Sequence, residues 1–170
     1  MRISILLCVL LLSACTAFGT KSKVPHRHHV HSIDLKPNRY NVAFLIMDGV
    51  YNTELTAPFD IFQHTIFREG IKSMNVFTVA KTKEPITTFE KMRILPDFNY
   101  LTDELPKIDI LVVPSAEHHL DTDLEDEAMI NFVKKVDQEA MYMTSHCDGA
   151  FVLAKAGPKV WPEVWLSIGI

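Results

Sequence analysis

The residue of this chain best suited to chemistry is a cysteine at the end of a strand-like run. Ala140-Met-Tyr-Met-Thr-Ser-His146 is largely apolar and leads into Cys147; Asp148 and Gly149 form a tight small-residue turn; Ala150 to Ala156 has the composition of a helix. Strand, turn and helix with the nucleophile at the tip is how α/β enzymes present a reactive side chain. A thiolate in that position is favoured by the positive end of the helix dipole and by unpaired amides. Such a sulfur can attack an activated carbon, and it can be oxidised to sulfenic or sulfinic acid. The competing reading of Cys147 is a small, inert core residue.

The other two cysteines lie near the start of the chain. Cys8 sits in the apolar run Ile3 to Leu12, behind Arg2. That run is shorter than the roughly 20 apolar residues a spanning helix needs. It has the size of a signal-peptide core. Leu12-Ser-Ala-Cys15 at its end resembles the bacterial lipoprotein box. The resemblance implies a signal peptide over residues 1–14, a diacylglycerol on Cys15, and an exported protein anchored to a membrane of the bacterial envelope. A soluble periplasmic protein is the alternative. Two or more acyl chains make a stable anchor. Cys8 leaves with the peptide, so no disulfide framework is expected around Cys147.

About 155 residues then remain, enough for one domain. At 48% hydrophobic residues the composition supplies a core. A formal net charge of −4 and the lack of a basic stripe give nucleic-acid binding little electrostatic support. Residues 15–38 read as a polar tether. Within it, His26, His28, His29 and His31 are close enough together to hold a transition metal. A flexible tether pre-organises no such site, and a solvated linker is the preferred reading. No phosphate-binding glycine loop or paired-cysteine metal site is present, so no cofactor is expected.

The elements that must position Cys147 follow from hydrophobic period. Asn41 to Met47 is almost continuously apolar, which predicts a central parallel strand buried on both faces. Glu54 to Glu69 carries Leu55, Phe59, Phe62 and Ile66 at helical spacing; Pro58 predicts a helix that starts near Ala57 or kinks there. Asn75 to Ala80 and Asp109 to Pro114 are further strands. Ile86 to Leu95 is a short hairpin and Tyr100 to Leu105 a helical turn. Leu124 to Val136 is an amphipathic helix. Asp121, Asp123, Glu125, Asp126 and Glu127 at its start suit the helix dipole better than a calcium loop. Strands alternating with helices predict a parallel sheet covered on both faces, with the site at the carboxyl ends of the strands. Three such ends, Asp48 to Glu54, Pro114 to His119 and His146 to Gly149, can converge.

These segments resemble the signatures of the ThiJ/PfpI family, in the class I glutamine amidotransferase-like superfamily. Met47-Asp-Gly-Val-Tyr-Asn-Thr-Glu54-Leu-Thr-Ala-Pro58-Phe-Asp60-Ile-Phe62 looks like the first. Asp109-Ile-Leu-Val-Val-Pro114 and Ser145-His-Cys147-Asp-Gly149-Ala-Phe-Val-Leu-Ala154-Lys-Ala-Gly157 look like the second and third. The resemblance implies a flavodoxin-like three-layer α/β sandwich over residues 39–157, often dimeric. It implies that Cys147 is the elbow nucleophile, with Glu54 approaching its sulfur. It also implies oxyanion donors at the amide of Asp148 and at an amide of the Ser115-Ala116 segment, taken as that of Ala116.

The chain departs from the family pattern in places. Many members have Gly-Gly where Ser115-Ala116 stands, and protease-like members have His where Asp148 stands. His118 and His119 form an exposed loop pair, or one of them lines the pocket. His146, by strand alternation, points away from it. After Gly157 the family continues through further strands and a helix. The run Pro158 to Ile170, with two prolines and two tryptophans, does not resemble that continuation, and truncation or a shifted reading frame near Pro158 is expected. The expected function is an exported cysteine-dependent hydratase or hydrolase acting on a small electrophile such as an isocyanide, a glyoxal adduct or an amide. A non-catalytic ligand-binding or redox-sensing module, or an inactive truncated product, are the alternatives. Similar domains precede helix-turn-helix pairs in regulators of the AraC type, but no such pair follows here.

Overall fold

The computed structural model describes residues 33–157. The signal peptide, Cys8, Cys15, the four tether histidines and the tail from Pro158 lie outside the described residues.

Residues 42 to 46 have no polar side chain, so both faces of the strand they form must be covered. Strand β1 (Tyr40–Leu45) is accordingly the sheet's centre. Val42, Phe44 and Ile46 enter one apolar layer, Ala43 and Leu45 the other. β2 (Met74–Ala80) lies on one side of β1 and β6 (Ile110–Val113) on the other; β5 (Phe98–Asn99) and β7 (Tyr142–Ser145) complete the order β5-β2-β1-β6-β7. All four pairings are parallel. β3 (Ile86–Thr87) and β4 (Arg93–Ile94) form the expected antiparallel hairpin. Without the two-residue edge strand β5, the order β2-β1-β6-β7 is the 2-1-3-4 arrangement of a flavodoxin-like fold, whose chain reverses winding direction between β1 and β6. Ligands of such sheets bind at that switch point.

Helix α1 (Asn52–Gln63) covers one face and continues as a 3-10 turn, His64–Phe67. Phe59 and Phe62 pack around Phe44, at ring separations of 5.2 and 6.0 Å. The helix starts five residues before Ala57 and runs through Pro58. Its first amide, Asn52 N–H, donates to Glu90 Oε2 at 3.0 Å. An external cap of that kind lets a helix begin well ahead of a proline.

Helices α2 (Glu127–Asp137) and α3 (Gly149–Ala156) cover the other face through Met129, Phe132, Val133, Val152 and Leu153. The helix predicted from Leu124 is a 3-10 turn, Thr122–Glu125, before α2. Asp126 separates the two because its carboxylate accepts from the amides of Ala128 and Met129. Tyr100 to Leu105 is a turn, with Asn99 O accepting from Asp103 N–H at 3.0 Å, and no helix forms there. The domain also begins before residue 39. Ile33 and Leu35 pack against the core, and Lys36 exchanges backbone hydrogen bonds with the Asn75 amide side chain.

Burial alone would raise the Asp126 carboxyl, but the Lys81 ammonium and the two helix amides outweigh it and hold it below its ordinary 3.8. A depressed carboxylate stabilises the fold above its unfolded value and loses that contribution as pH falls through the folded one. Asp126→Ala is expected to cost about 1 kcal/mol near neutrality. Urea midpoints should show the gap from wild type narrowing as pH drops below 3.8.

Candidate functional site

The connection from β7 to α3 is three residues long, His146 to Asp148. Cys147 has φ +47°, in the left-handed region that side chains other than glycine rarely adopt. The bend closes because Gly149 lies directly on the end of β6. A Cβ built there would stand 2.1 Å from Val113 O and 3.1 Å from Pro114 O, both backbone atoms that cannot step aside. His146 N–H donates to Val113 O at 3.0 Å, fixing the other side of the turn. The thiol of Cys147 is exposed at the tip.

Two further loops reach the same end of the sheet and are stitched together. Val50, after β1, and Ala116, after β6, form an antiparallel bridge. Tyr51 N–H donates to Ser115 O at 3.1 Å and Glu117 N–H to Gly49 O at 3.0 Å. Gly49, at φ +80°, has Glu117 Cβ 3.0 Å from where its own Cβ would be. Ser115 Oγ donates to the Asp148 carboxylate, which ties the β6 loop to the elbow. Among the described residues, the amides of Ala116 and Asp148 have no protein acceptor.

Glu54 lies in the first turn of α1 and its carboxylate pairs with His146 Nδ1. The side chains are 26% and 51% exposed, so the pair is open to solvent. This corrects the expected orientation of His146, which faces the site acid. β7 ends at Ser145, so strand alternation no longer governs the next residue. It also qualifies the expected role of Glu54. Its hydrogen bond goes to the imidazole, and none joins it to Cys147 among the described residues.

The structure separates the two loop histidines. His118 is half-exposed and pairs with Asp121 at 3.4 Å. His119 is fully buried, with Nδ1 2.8 Å from Asp123 Oδ2 and Nε2 2.9 Å from Pro114 O. It neither lines a pocket nor sits exposed.

Tyr51 escaped the sequence reading. Its ring packs on Phe89 of the β3–β4 hairpin at 4.9 Å. Desolvation, and then the charges of Asp148, Glu117, Glu90 and Cys147, raise its phenol above the ordinary 10.0. Cavities of about 600 and 300 Å³ lie elsewhere, one along α1 at Thr56, Phe59 and Gln63, the other at Tyr100, Phe132 and Val136. Cys147 lines neither of them.

A left-handed non-glycine residue costs about 1–2 kcal/mol. Cys147→Gly should therefore be more stable than Cys147→Ala by about 1 kcal/mol, compared by thermal or urea unfolding. Equal stabilities would mean that the elbow is unstrained.

Comparison with known proteins adds three findings. Residues 40–159 match the sequence model of the DJ-1/PfpI family. The chain is 27% identical over 116 residues to isonitrile hydratase of Pseudomonas putida, an alignment covering 68% of this chain and 47% of that protein. In fold it is similar to a ThiJ/PfpI family protein from Pseudomonas syringae, with TM-score 0.57 and 22% identity over 84% of this chain and 54% of the other. It is similar as well to DJ-1beta of Drosophila melanogaster, with TM-score 0.59 and 15% identity over 71% and 62%. The chain spans about half the length of the curated relative it matches.

Proposed function

The chain belongs to the DJ-1/PfpI family, and from that premise we propose that it is a cysteine-dependent hydratase or hydrolase of a small electrophile, with an isonitrile as the first substrate to test. The observation that carries the reading is the exposed thiol held at a left-handed elbow, with the Glu54–His146 pair beside it. The likeness to an isonitrile hydratase supports the choice of substrate.

In this reading Cys147 Sγ attacks the terminal isonitrile carbon, and a proton delivered through Glu54 goes to that carbon. The product is a thioimidate, with carbon bonded to sulfur and doubly bonded to nitrogen. Water then adds to the same carbon, and Glu54 removes its proton while the nitrogen gains one. The amides of Asp148 and Ala116 donate to the new oxygen. The C–S bond breaks, the thiol is restored, and an N-substituted formamide leaves. Isonitrile plus water equals formamide, so the sequence needs no cofactor. His146 holds the Glu54 carboxylate in place.

The exposure of the thiol favours a second reading. An exposed thiol also suits reversible oxidation or ligand binding without turnover.

Turnover of a simple alkyl isonitrile, followed by NMR of the formamide, separates the two. Cys147→Ala should lower kcat by at least about 10³-fold, and Glu54→Gln by about 10²-fold or more. Full activity without the thiol excludes the mechanism.

We also propose that the chain is exported and anchored by acylation of Cys15, as the run Leu12-Ser-Ala-Cys15 suggests. Mass spectrometry of the mature N-terminus should find a lipidated Cys15; an unmodified terminus at any other residue removes the anchor.

A further inference from the structure

Both ring nitrogens of the buried His119 have partners, and the partners constrain its proton. Pro114 O can only accept, so Nε2 carries a hydrogen. Nδ1 faces Asp123 Oδ2, and one proton lies between them, whichever atom it is bonded to. The arrangement of carboxylate, imidazole and acceptor orients a ring, and the atom it aims at is a backbone carbonyl.

That carbonyl opens the loop carrying the Ala116 amide. His119 grips the loop twice, through Nε2 on Pro114 O at 2.9 Å and through its own N–H on Ala116 O at 3.3 Å. Between these points Ser115 O accepts from Tyr51 N–H. The Ser115–Ala116 peptide is trans, so the Ala116 N–H lies in the same plane as Ser115 O and points in the opposite direction. The direction of the amide is therefore set by whatever holds the loop at 114–116.

We propose that His119, oriented by Asp123, is a positioning residue that aims the Ala116 amide. The proposal rests on the reading of that amide as an oxyanion donor and goes beyond it by assigning the buried pair. His119 contacts no reacting atom; it acts through the Pro114–Ala116 backbone.

Residue-resolved amide exchange on the full-length chain tests this without a substrate. His119→Leu removes the side-chain grip. It should lower the protection of the Tyr51 and Glu117 amides, the two that bridge this loop to the β1 loop, by about 10-fold or more. Amides of Val42 to Phe44 in β1 should stay unchanged. His119→Gln, which restores a donor towards Pro114 O, should recover most of the loss. If the Leu variant does not fold, Asp123→Ala leaves the imidazole in place but unheld, and should show the same local loss at smaller amplitude. Unchanged protection overturns the proposal, as does a loss spread evenly over β1, the mark of a merely structural role.

With alkyl isonitrile, kcat of His119→Leu should fall about 10²-fold while KM and the rate of Cys147 alkylation by iodoacetamide hold. Unchanged kcat also overturns it. A wild-type chain without turnover counts against the hydratase reading alone, and the exchange comparison then decides the role of His119.

Discussion

The contact between Gly149 and the carbonyls of Val113 and Pro114 sets the rest of the site. Only a residue without a side chain lets α3 begin against the end of β6. The chain leaves β7 and enters the helix within three residues, His146 to Asp148, and the middle one takes a left-handed backbone. Cys147 is exposed at that turn. The strain of that conformation, about 1–2 kcal/mol, is held by the hydrogen bond from His146 to Val113 and by the apolar packing of Val152 and Leu153 beneath. Sequence, packing and reactivity meet in this one approach of helix to strand.

From that point the site is built by loops locking to one another. β1 and β6 are neighbours with opposite winding, and the loops that follow them meet at the same end of the sheet. The Val50–Ala116 bridge joins those two loops, the Ser115–Asp148 bond ties the β6 loop to the turn at Cys147, and the Glu54–His146 pair ties α1 to the same turn. Each link joins residues from different strand ends. The polar groups here are partnered across loops, which suits a site that holds a geometry without being deeply buried.

Much of this was legible in the sequence and some was not, for physical reasons. The central strands read correctly because burial on both faces leaves unbroken apolar runs, as in Val42 to Ile46. The strand, turn and helix around Cys147 were legible because a small residue two positions after the cysteine is what a tight strand-to-helix turn demands. Of the two readings offered by Pro58, a start near Ala57 fails, because Pro58 is a local signal whereas the cap on Asn52 comes from Glu90, 38 residues away. His146 was misread because alternation was extended one residue past the strand. His119 and Asp123 carried a readable clue, a histidine and an acid four apart. Spacing alone could not say that the ring was buried or that its second nitrogen faced a backbone oxygen. Tyr51 had no local signal, since its neighbours arrive from the hairpin and the elbow.

Pro58 has one more consequence. Its ring nitrogen has no hydrogen, so the Glu54 carbonyl is left out of the ladder that welds one helical turn to the next. The turn bearing Glu54 is thus clamped from outside, by Glu90 on Asn52, by Ser115 on Tyr51 and by His146 on Glu54 itself. The aim of the acid is a property of its surroundings more than of its helix. Changes in the β3–β4 hairpin, which carries Glu90, would then re-aim the Glu54 carboxylate while the helix and Cys147 stay as they are.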